Sequence, residues 1–533
     1  QPGRVYKLEL NTHKLTKFIE TDANHIVLCM DILDIEGEDG YMLIGGNFTQ
    51  ITTFKYDSVT NNVVAVQPPA VPITVCAAMI NLNTYEVIKL FSEAPGVLAP
   101  VLLAAATDMV QKVCICQSKK IVKAKGGAQV ENVEGYVALI GGSFIINVTN
   151  DNNPLAPPPP LNNREEIINI GCVLIRKNPN NPNNPNMEAR LVAVDSNVAL
   201  TAGIRSGISS NIGIANFKVT SIVCQEKENE DNKSETRFFI SGRFDRYTAI
   251  DYVPLVRPLA TRENCNGIIK LTLKCEYDKD NVTSKYNQAS VIEPIRVNSL
   301  GNADEIVYAS LQYGIINSKM YLFCLTGFLN PAGPNVYTRL NIFDTESKLN
   351  VIQTPDILVP PPALVTIANY TSQTLLLTKD DSDGNNVQNV LIMSITTGQN
   401  PPFLNYTFTC NVSSLSQNAG AAAAIQVFPA ASNGNANVGK DNIITDMFYM
   451  KDTRQVFIAH QNVLIANPTR TEYPLTVRSN YQALGEWKLE SKSKDADDEI
   501  VKFDDFIDKV IEMRKIFKLN PSMVLFLQDV DVR

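Results

Sequence analysis

A strand that ends in two glycines and is followed by an aromatic residue recurs along this chain, and this recurrence constrains the fold most. Tyr41–Phe48 reads Tyr-Met-Leu-Ile-Gly-Gly-Asn-Phe, and Tyr136–Phe144 reads Tyr-Val-Ala-Leu-Ile-Gly-Gly-Ser-Phe. Looser copies are Phe238–Phe244 and Phe323–Phe328. Glycine lets a strand end against neighbouring backbone, because it has no Cβ and accepts positive φ. The recurrence therefore predicts a repeat architecture.

The motif residues that we expect to shape each repeat, with the following Phe filling the space between repeats, are Gly45, Gly46, Phe48, Gly141, Gly142, Phe144, Gly242, Phe244, Gly327 and Phe328. The glycines Gly45, Gly141 and Gly242 should occupy equivalent places. Two apolar strands without glycines, Thr374–Thr378 and Gln455–His460, take the corresponding place in later repeats.

Two other elements recur with the glycine strand. A strand–turn–strand pattern at Leu8–Phe18 aligns without gaps on Ile80–Leu90, and related patterns occur at Phe54–Thr60 and Ile342–Leu349. In each pattern a polar turn joins two alternating stretches, which is typical of a hairpin. Apolar runs, which fit strands buried on both faces, precede the glycine strands or their counterparts at Ile26–Leu33, Val97–Ala106, Ile212–Val223, Ile306–Ile316, Leu364–Tyr370 and Ile443–Met450.

Composition supports the same fold class. Of the 533 residues, 44% are hydrophobic and 19% charged. Abundant Val, Ile, Thr, Asn and Pro favour strands joined by turns over helices. A repeat also explains how so long a chain folds without one oversized core. We predict an all-β fold, a β-propeller of about six, or else seven, four-stranded blades, each built of a buried strand, a glycine-ended strand and a hairpin.

The motifs resemble kelch and delta-60 type propeller repeats, and in particular the Gly-Gly-Asn-Phe-Thr motif of fungal cortical-marker surface propellers. Those families place a double glycine after a strand and then a hairpin with a tyrosine, aspartate, turn and threonine signature, which Tyr56, Asp57 and Thr60 match. The resemblance covers roughly residues 4 to 480, and the Trp typical of kelch blades is absent from it, since Trp487 is the only Trp.

The chain divides into three parts by composition. Residues 1–483 form the predicted propeller, in which the hairpin Val5–Phe18 closes the last blade by pairing with strands near residues 443–480. Residues 484–499 are a charged linker. Residues 500–533 hold an amphipathic helix and a short terminal strand near Met523–Leu527. The apolar stripe of the helix comprises Phe503, Phe506, Ile507, Val510, Ile511 and Phe517. This stripe either packs on its own propeller or docks on a partner protein.

Ten cysteines lie mostly inside apolar runs, where a thiol is usually a small buried hydrophobe. Cys265 and Cys275 bracket a predicted strand and are the best candidates for a disulfide. Cys114 and Cys116 have no second Cys pair or nearby His, so a zinc site is not expected. The loop Asp380–Asn385 is either a calcium loop or a solvated hairpin turn, and Lys379 at its start disfavours calcium.

We expect no enzymatic activity and no cofactor. The three histidines, His13, His25 and His460, form no readable cluster of metal ligands with tyrosines, and alanine at each should leave function intact. No nucleophile elbow, phosphate loop or His-Glu-x-x-His motif occurs.

Charge and hydropathy restrict the partners. The net charge is −8, and no Lys/Arg-rich run is present, so nucleic acid is not an expected partner. The apolar stretch Pro95–Val113 is broken by Pro100 and Asp108, so no direct membrane span is expected. Candidate glycosylation sequons, weak evidence for a glycoprotein, occur at Asn47, Asn147, Asn232, Asn281, Asn369, Asn405 and Asn411.

These observations predict a non-enzymatic structural or assembly scaffold that acts through contacts with other protein subunits or with itself. We expect it to be located in a virion or at the cell surface or another extracellular layer. The alternative is a surface propeller that binds a receptor or a glycan.

Overall fold

The computed structural model contains β-strands and turns, with no helix among the residues that it describes. The described residues are 2–9, 14–35, 40–57, 59–60, 62–66, 71–73, 76–92, 109–118, 120–126, 129–143, 170–177, 187–193, 208–209, 218–225, 235–244, 246–251, 259–265, 267–275, 288–295, 306–316, 319–329, 336–346, 350–353, 370–377, 390–397, 404–411, 426–428, 442–450, 455–462, 475–478 and 524–529. The predicted all-β class is therefore confirmed.

The chain forms two compact units. The first contains Gln1–Tyr6 and Thr16–Ile295, and the second contains Lys7–Leu15 and Arg296–Arg533.

Three four-stranded antiparallel arrangements, called sheets A, B and C, form the centre of the first unit. Sheet A comprises β3 (Val27–Leu33), β4 (Tyr41–Gly46), β8 (Ala77–Asn81) and β9 (Val87–Ser92). Sheet B comprises β10 (Met109–Ile115), β12 (Gln129–Ser143), β13 (Ile170–Lys177) and β14 (Met187–Ala193). Sheet C comprises β16 (Lys218–Gln225), β17 (Glu235–Arg243), β20 (Ile268–Cys275) and β21 (Gln288–Pro294). A short parallel pairing of β14 with β9 joins sheets A and B.

The other strands of the first unit are hairpins and short strands around these sheets. A hairpin of β1 (Pro2–Glu9) and β2 (Lys14–Ala23) is followed in sheet order by β5 (Gln50–Asp57) and β6 (Asn62–Ala65), with β7 (Val71–Pro72) also paired to β5. The strand β11 (Lys120–Gly126) folds back on β12. A second small sheet has the order β15 (Ile208–Ser209), β18 (Arg246–Asp251) and β19 (Leu259–Asn264).

Sheet B is buried on both faces, because alternate residues of its strands enter different cores. Tyr136, Ala138 and Ile140 of β12 belong to a core shared with sheet A. Val137 and Leu139 of the same strand belong to a core shared with sheet C. Successive side chains of a strand point to opposite faces, so this division shows that the three sheets stack face to face.

The first strands of these sheets also contact one another, β3 with β10 and β10 with β16. Polar side chains join them. The Ile115 N–H donates to Asp31 Oδ2 at 2.6 Å, and Gln117 Nε2 donates to the Ile32 carbonyl at 2.7 Å. The Val219 N–H donates to Gln111 Oε1 at 2.7 Å. Backbone groups of these strands thereby gain hydrogen-bond partners in the neighbouring sheet.

The second unit repeats the pattern in sheets D, E and F. Sheet D comprises β22 (Ile306–Ile316), β23 (Lys319–Leu329), β24 (Val336–Asp344) and β25 (Asn350–Gln353). Sheet E comprises β26 (Tyr370–Leu377), β27 (Val390–Thr397), β28 (Leu404–Asn411) and β29 (Gln426–Phe428). Sheet F has the described strands β30 (Asn442–Met450), β31 (Gln455–Asn462) and β32 (Leu475–Arg478). Their first strands are again in contact, β22 with β26 and β26 with β30.

The last strand, β33 (Val524–Asp529), covers most of the terminal strand expected from the sequence. It is the neighbour of β1 in the sheet order, and Lys7–Glu9 of β1 are grouped with the second unit. This neighbour differs from the strands near residues 443–480 that the sequence analysis assigns to the N-terminal hairpin. Whether the hairpin completes a closed ring stays a prediction.

Two strand assignments from the sequence are wrong in position. Thr374–Leu377 were expected in the place of a glycine-ended second strand, but they lie in β26, the first strand of sheet E, and β27 takes the second place. Both β26 and β27 are apolar enough to be read as buried strands, and only strand pairing shows that β26 is the first and β27 the second strand of sheet E. Sheet B begins at Met109 instead of within Val97–Ala106, and the latter run lies outside the described residues.

Candidate functional site

A β-bulge recurs at the start of the first strand in all six sheets. The bulged residue, which the Cα register between the first and second strands skips, is Leu28, Gln111, Thr220, Val307, Thr371 and Thr445 in sheets A to F. A bulge bends its strand and increases the local twist. Because it always faces the end of the second strand, it identifies structurally equivalent positions across the repeat.

Two positions on the second strand are defined by the bulge. The first position is the residue paired with the first-strand residue that follows the bulge. The second position is the residue paired with the first-strand residue that precedes the bulge. From sheet A to sheet F the first position holds Gly45, Gly141, Ser241, Gly327, Thr396 and Ala459. The second position holds Gly46, Gly142, Gly242, Phe328, Thr397 and His460. The first position is small in every sheet, whereas the second varies.

The register corrects the expected equivalence of three glycines. Gly45 and Gly141 are both at the first position, but Gly242 is at the second, and Ser241 is their true counterpart. The loose copy in sheet D is shifted the other way, since Gly327 is at the first position and Phe328 at the second. The spacing between glycines hides this shift of one residue, which strand pairing reveals.

The first position is small because the next sheet approaches it closely. A Cβ on Gly45 would overlap Val110 of sheet B and lie 2.9 Å from Cys29 Sγ. A Cβ on Gly141 would lie 3.0 Å from Ile222 Cδ1 and 3.2 Å from Val219 Cγ1 of sheet C. Val110 and Val219 both precede the bulges of their own sheets, so the same contact is made twice.

The second position is close to the backbone of its own sheet. A Cβ on Gly46 would overlap the Ile26 carbonyl oxygen, and one on Gly142 would overlap the Met109 carbonyl oxygen. Unlike a side-chain tip, these backbone atoms cannot rotate away. The two glycines therefore have separate functions, one between sheets and one within a sheet.

The aromatic residue of the motif is buried where its side chain is described. Phe48 is fully buried, and Phe244 belongs to the core between sheets B and C. Phe144 lies outside the described residues, and Phe328 is described only by its strand pairing.

After the motif, sheets A and C each receive an inserted hairpin before the third strand begins. The insertion is β5–β6 in sheet A and β18–β19 in sheet C. Each insertion ends at a residue of positive φ, Cys76 (52°) in sheet A and Gly267 (74°) in sheet C. The Cys76 carbonyl accepts from the Gly46 N–H at 3.0 Å, and the Gly267 carbonyl accepts from the Gly242 N–H at 2.9 Å. No sequence pattern predicts the positive φ of Cys76, because a non-glycine residue seldom occupies this region of φ.

The Tyr56–Asp57–Thr60 signature lies on the inserted hairpin of sheet A. Asp57 Oδ1 accepts from the Val59 N–H at 3.0 Å, and Oδ2 accepts from Thr60 Oγ1 at 2.8 Å. These hydrogen bonds lower the pKa of the exposed Asp57 carboxyl, with the Thr60 bond as the largest cause.

The hairpin pattern predicted for Ile80–Leu90 joins β8 to β9, where Asn81 Oδ1 accepts from the Asn83 N–H at 2.8 Å.

Asp22 fastens the inserted hairpin of sheet A to the end of β2. Its Oδ1 accepts from the Thr49 and Gln50 N–H groups at 3.0 and 3.1 Å. Its Oδ2 accepts from Thr49 Oγ1 at 2.9 Å and is hydrogen-bonded to His25 Nδ1. Burial raises the pKa of the carboxyl, but the hydrogen bonds from Thr49, Gln50 and His25 outweigh burial and lower it. His25 therefore has a structural contact in the described structure.

The thiols resemble small hydrophobes, as expected for most of them. Seven of the eight described free cysteines are buried, and burial raises the pKa of Cys29 and of Cys324 to about 12. Cys265 is a free thiol, so its expected disulfide with Cys275 is wrong. The strand β20 extends from Ile268 to Cys275 between the two residues, and an extended strand holds its ends too far apart for a disulfide.

The remaining predicted site residues are placed only in part. Asn47 Oδ1 accepts from the Ile26 N–H at 2.7 Å, and Asn405 and Asn411 lie in β28. The other sequons, the loop at Asp380, His13 and the apolar stripe from Phe503 to Phe517 lie outside the described residues.

In the described part of the chain, no group of three or more His, Cys, Asp and Glu residues lies close enough to hold a metal ion. Within the same part, no helix has the length and apolar character needed to cross a membrane.

No protein-family model matches the chain, and no curated protein matches it.

We predict that Gly45→Ala and Val110→Ala are energetically coupled. Gly45→Ala should lower the free energy of unfolding by about 1–3 kcal/mol, because the new methyl overlaps Val110. Val110→Ala alone should also destabilise the protein, by about 1.5–3 kcal/mol, because it removes a buried side chain. The double variant should lose clearly less than the sum, since the smaller neighbour admits the methyl. Urea unfolding of all four proteins measures the coupling.

Gly40→Ala is the matched control, because its Cβ would meet only Leu82 Cδ1 within 3.5 Å, at 3.2 Å, at the end of a flexible side chain. It should change stability by less than about 0.5 kcal/mol. Additive losses in the Gly45–Val110 cycle would contradict the assigned contact.

A second prediction concerns Asp22 and acid. The folded-state pKa of Asp22 is lowered, so its ionised carboxylate stabilises the fold above the unfolded pKa of about 3.9. That contribution is lost as pH falls through the folded pKa. Asp22→Asn should therefore be less stable than the parent at pH 7 and pH 5, and the difference should shrink below about pH 4. Urea unfolding across this pH range tests it, and a difference independent of pH would contradict it.

Proposed function

We propose that this chain is a β-propeller scaffold of six or seven blades that acts through protein–protein contacts. Three features support the propeller. Six sheets share one bulge at one place, stacked sheets bury both faces of sheet B, and first strands contact one another within each unit. Propeller blades have this arrangement, with the first strands innermost.

The observation that carries the functional proposal is where the repeat varies. The stacked core is uniform, whereas sheets A and C insert hairpins at the same place, between their second and third strands. Sheet B has residues 144–169 at that place. Connections that vary on a constant framework usually provide contacts with other molecules. A scaffold component of a surface layer or a virus particle, at an extracellular or virion location, fits this design.

The described carboxylates and thiols near the motif support a role without catalysis. Asp22, Asp31 and Asp57 each accept hydrogen bonds from backbone N–H groups. Groups that hold turns and strands in this way are already engaged in the fold. The proposed scaffold therefore needs no cofactor.

The proposal predicts that the protein isolated under native conditions from its source has a mass well above the 58.7 kDa of one chain. Native mass spectrometry and cross-linking should find further copies or other subunits. Recovery as a single chain that binds a receptor or glycan saturably would contradict assembly and favour the alternative surface-binding function.

The C-terminal stripe gives a second test. Phe506→Asp should abolish assembly while leaving the melting temperature of the isolated chain unchanged, because the stripe docks on a partner. Lys509→Asp, which adds the same side chain off the stripe, is the control and should assemble normally. A lowered melting temperature for Phe506→Asp would show that the stripe packs on its own chain, and no change in either property would remove its docking role.

A further inference from the structure

The inserted hairpin β5–β6 exposes unusual apolar surface. Across the part of the chain that the structure describes, the exposed large hydrophobic side chains are Val59 and Val63, with 91% and 40% of their surfaces accessible. Both belong to this hairpin, Val59 to its turn and Val63 to β6. Single exposed aliphatic residues are common on protein surfaces, but these two share one projecting element.

The hairpin is held firmly at both ends. At its base Thr53 Oγ1 donates to the Tyr85 carbonyl at 2.7 Å, and Lys17 Nζ lies 3.7 Å from the centre of the Phe54 ring. At its tip the Asp57 carboxylate accepts from Val59 and Thr60. A rigid element loses little conformational entropy when it binds, so this hairpin is well suited to form a contact.

One edge of β6 has no partner strand in the described structure, since β6 is the outermost strand of its sheet order. The Val66 N–H donates to the Thr53 carbonyl at 2.9 Å, which shows that Val66 directs its backbone groups towards β5. Backbone direction alternates along a strand. Val63 and Ala65 therefore direct their N–H and C=O groups to the open edge.

The open edge lacks charge. From Ser58 to Val71 the sequence contains no Asp, Glu, Lys or Arg. Natural edge strands are usually protected by such charges, because an open edge pairs readily with another strand. In a two-fold contact the same edge of both copies meets, so an edge without charge meets no like charge.

We propose that β6 pairs antiparallel with β6 of a second copy of this chain, in a two-fold contact centred on Val63. The backbone groups of Val63 then bond to those of its own copy, and the two exposed Val63 side chains lie side by side. Tyr56, which pairs with Val63 on β5, extends the apolar row on each side. The contact rests on the proposed scaffold function and names one of its partners, the chain itself.

Sedimentation velocity on the isolated full chain between about 1 and 100 µM, the range of weak interfaces, tests the pairing. The parent should dimerise. Val63→Lys should weaken dimerisation more than about tenfold, because two ammonium groups would face each other. Val63→Pro should do the same, because it removes the outward N–H while the bonds to β5 remain. Unchanged melting temperatures for both variants establish that the fold is intact.

Val59→Lys is the matched control. It changes the same residue type on the same hairpin, but Val59 lies in the turn and outside the paired edge. It should leave the dimer constant within about twofold, as expected of an exposed site outside the interface. Equal effects at Val59 and Val63, no effect at Val63, or a parent that stays monomeric would each overturn the pairing.

The two proposals fail in different ways. If the native material is a large assembly and the isolated chain stays monomeric, the β6 pairing is wrong and the scaffold function stands. If the native material is a single chain while the isolated chain dimerises through Val63 only at high concentration, the scaffold function is wrong.

Discussion

The close approach of one sheet's first strand to the end of the preceding sheet's second strand is the contact on which the stacked core depends. In the first unit it occurs twice, between Gly45 and Val110 and between Gly141 and Val219. A bulge precedes each first strand's regular pairing and bends the strand there. A side chain too large for this close approach would hold the two sheets apart, and exposing the apolar area between them would cost about 25 cal/mol for each Å².

Small residues also occupy the first position in the other sheets. Ser241, Gly327, Thr396 and Ala459 occupy the first position in sheets C to F, so small size is retained where glycine is not. The second position is less restricted, because Phe328, Thr397 and His460 stand where sheets A to C have glycine. Small size at the first position is thus more uniform along the repeat than the glycine doublet.

A uniform core with local insertions separates stability from recognition. Residues that stabilise the fold, such as Tyr136 and Leu139, enter the cores between sheets. The inserted hairpin β5–β6 is fixed by Asp22 and Thr53 at its base, and its tip is exposed at Val59. Changes at the exposed tip should therefore have little effect on folding, as the proposed scaffold function requires.

Much of the fold could be predicted from the sequence because it depends on local pattern. Alternation and turn chemistry identified the all-β class, the strands at Tyr41, Tyr136 and Phe238, and the hairpin turn at Asn81. Burial of most cysteines followed from their apolar surroundings. These features depend on side-chain chemistry within a few residues, so they are legible without any knowledge of strand pairing.

Tertiary structure alone decided which residues are equivalent and which surfaces remain open. The offset of Gly242 from Gly141 and the order of β26 and β27 depend on strand pairing, which the spacing between glycines does not fix to one residue. Cys76 has a positive φ, and its carbonyl accepts a hydrogen bond from the distant Gly46 N–H. In the described part of the chain β6 is the last strand of its sheet order, so its outer edge is open, and no local pattern encodes this strand order.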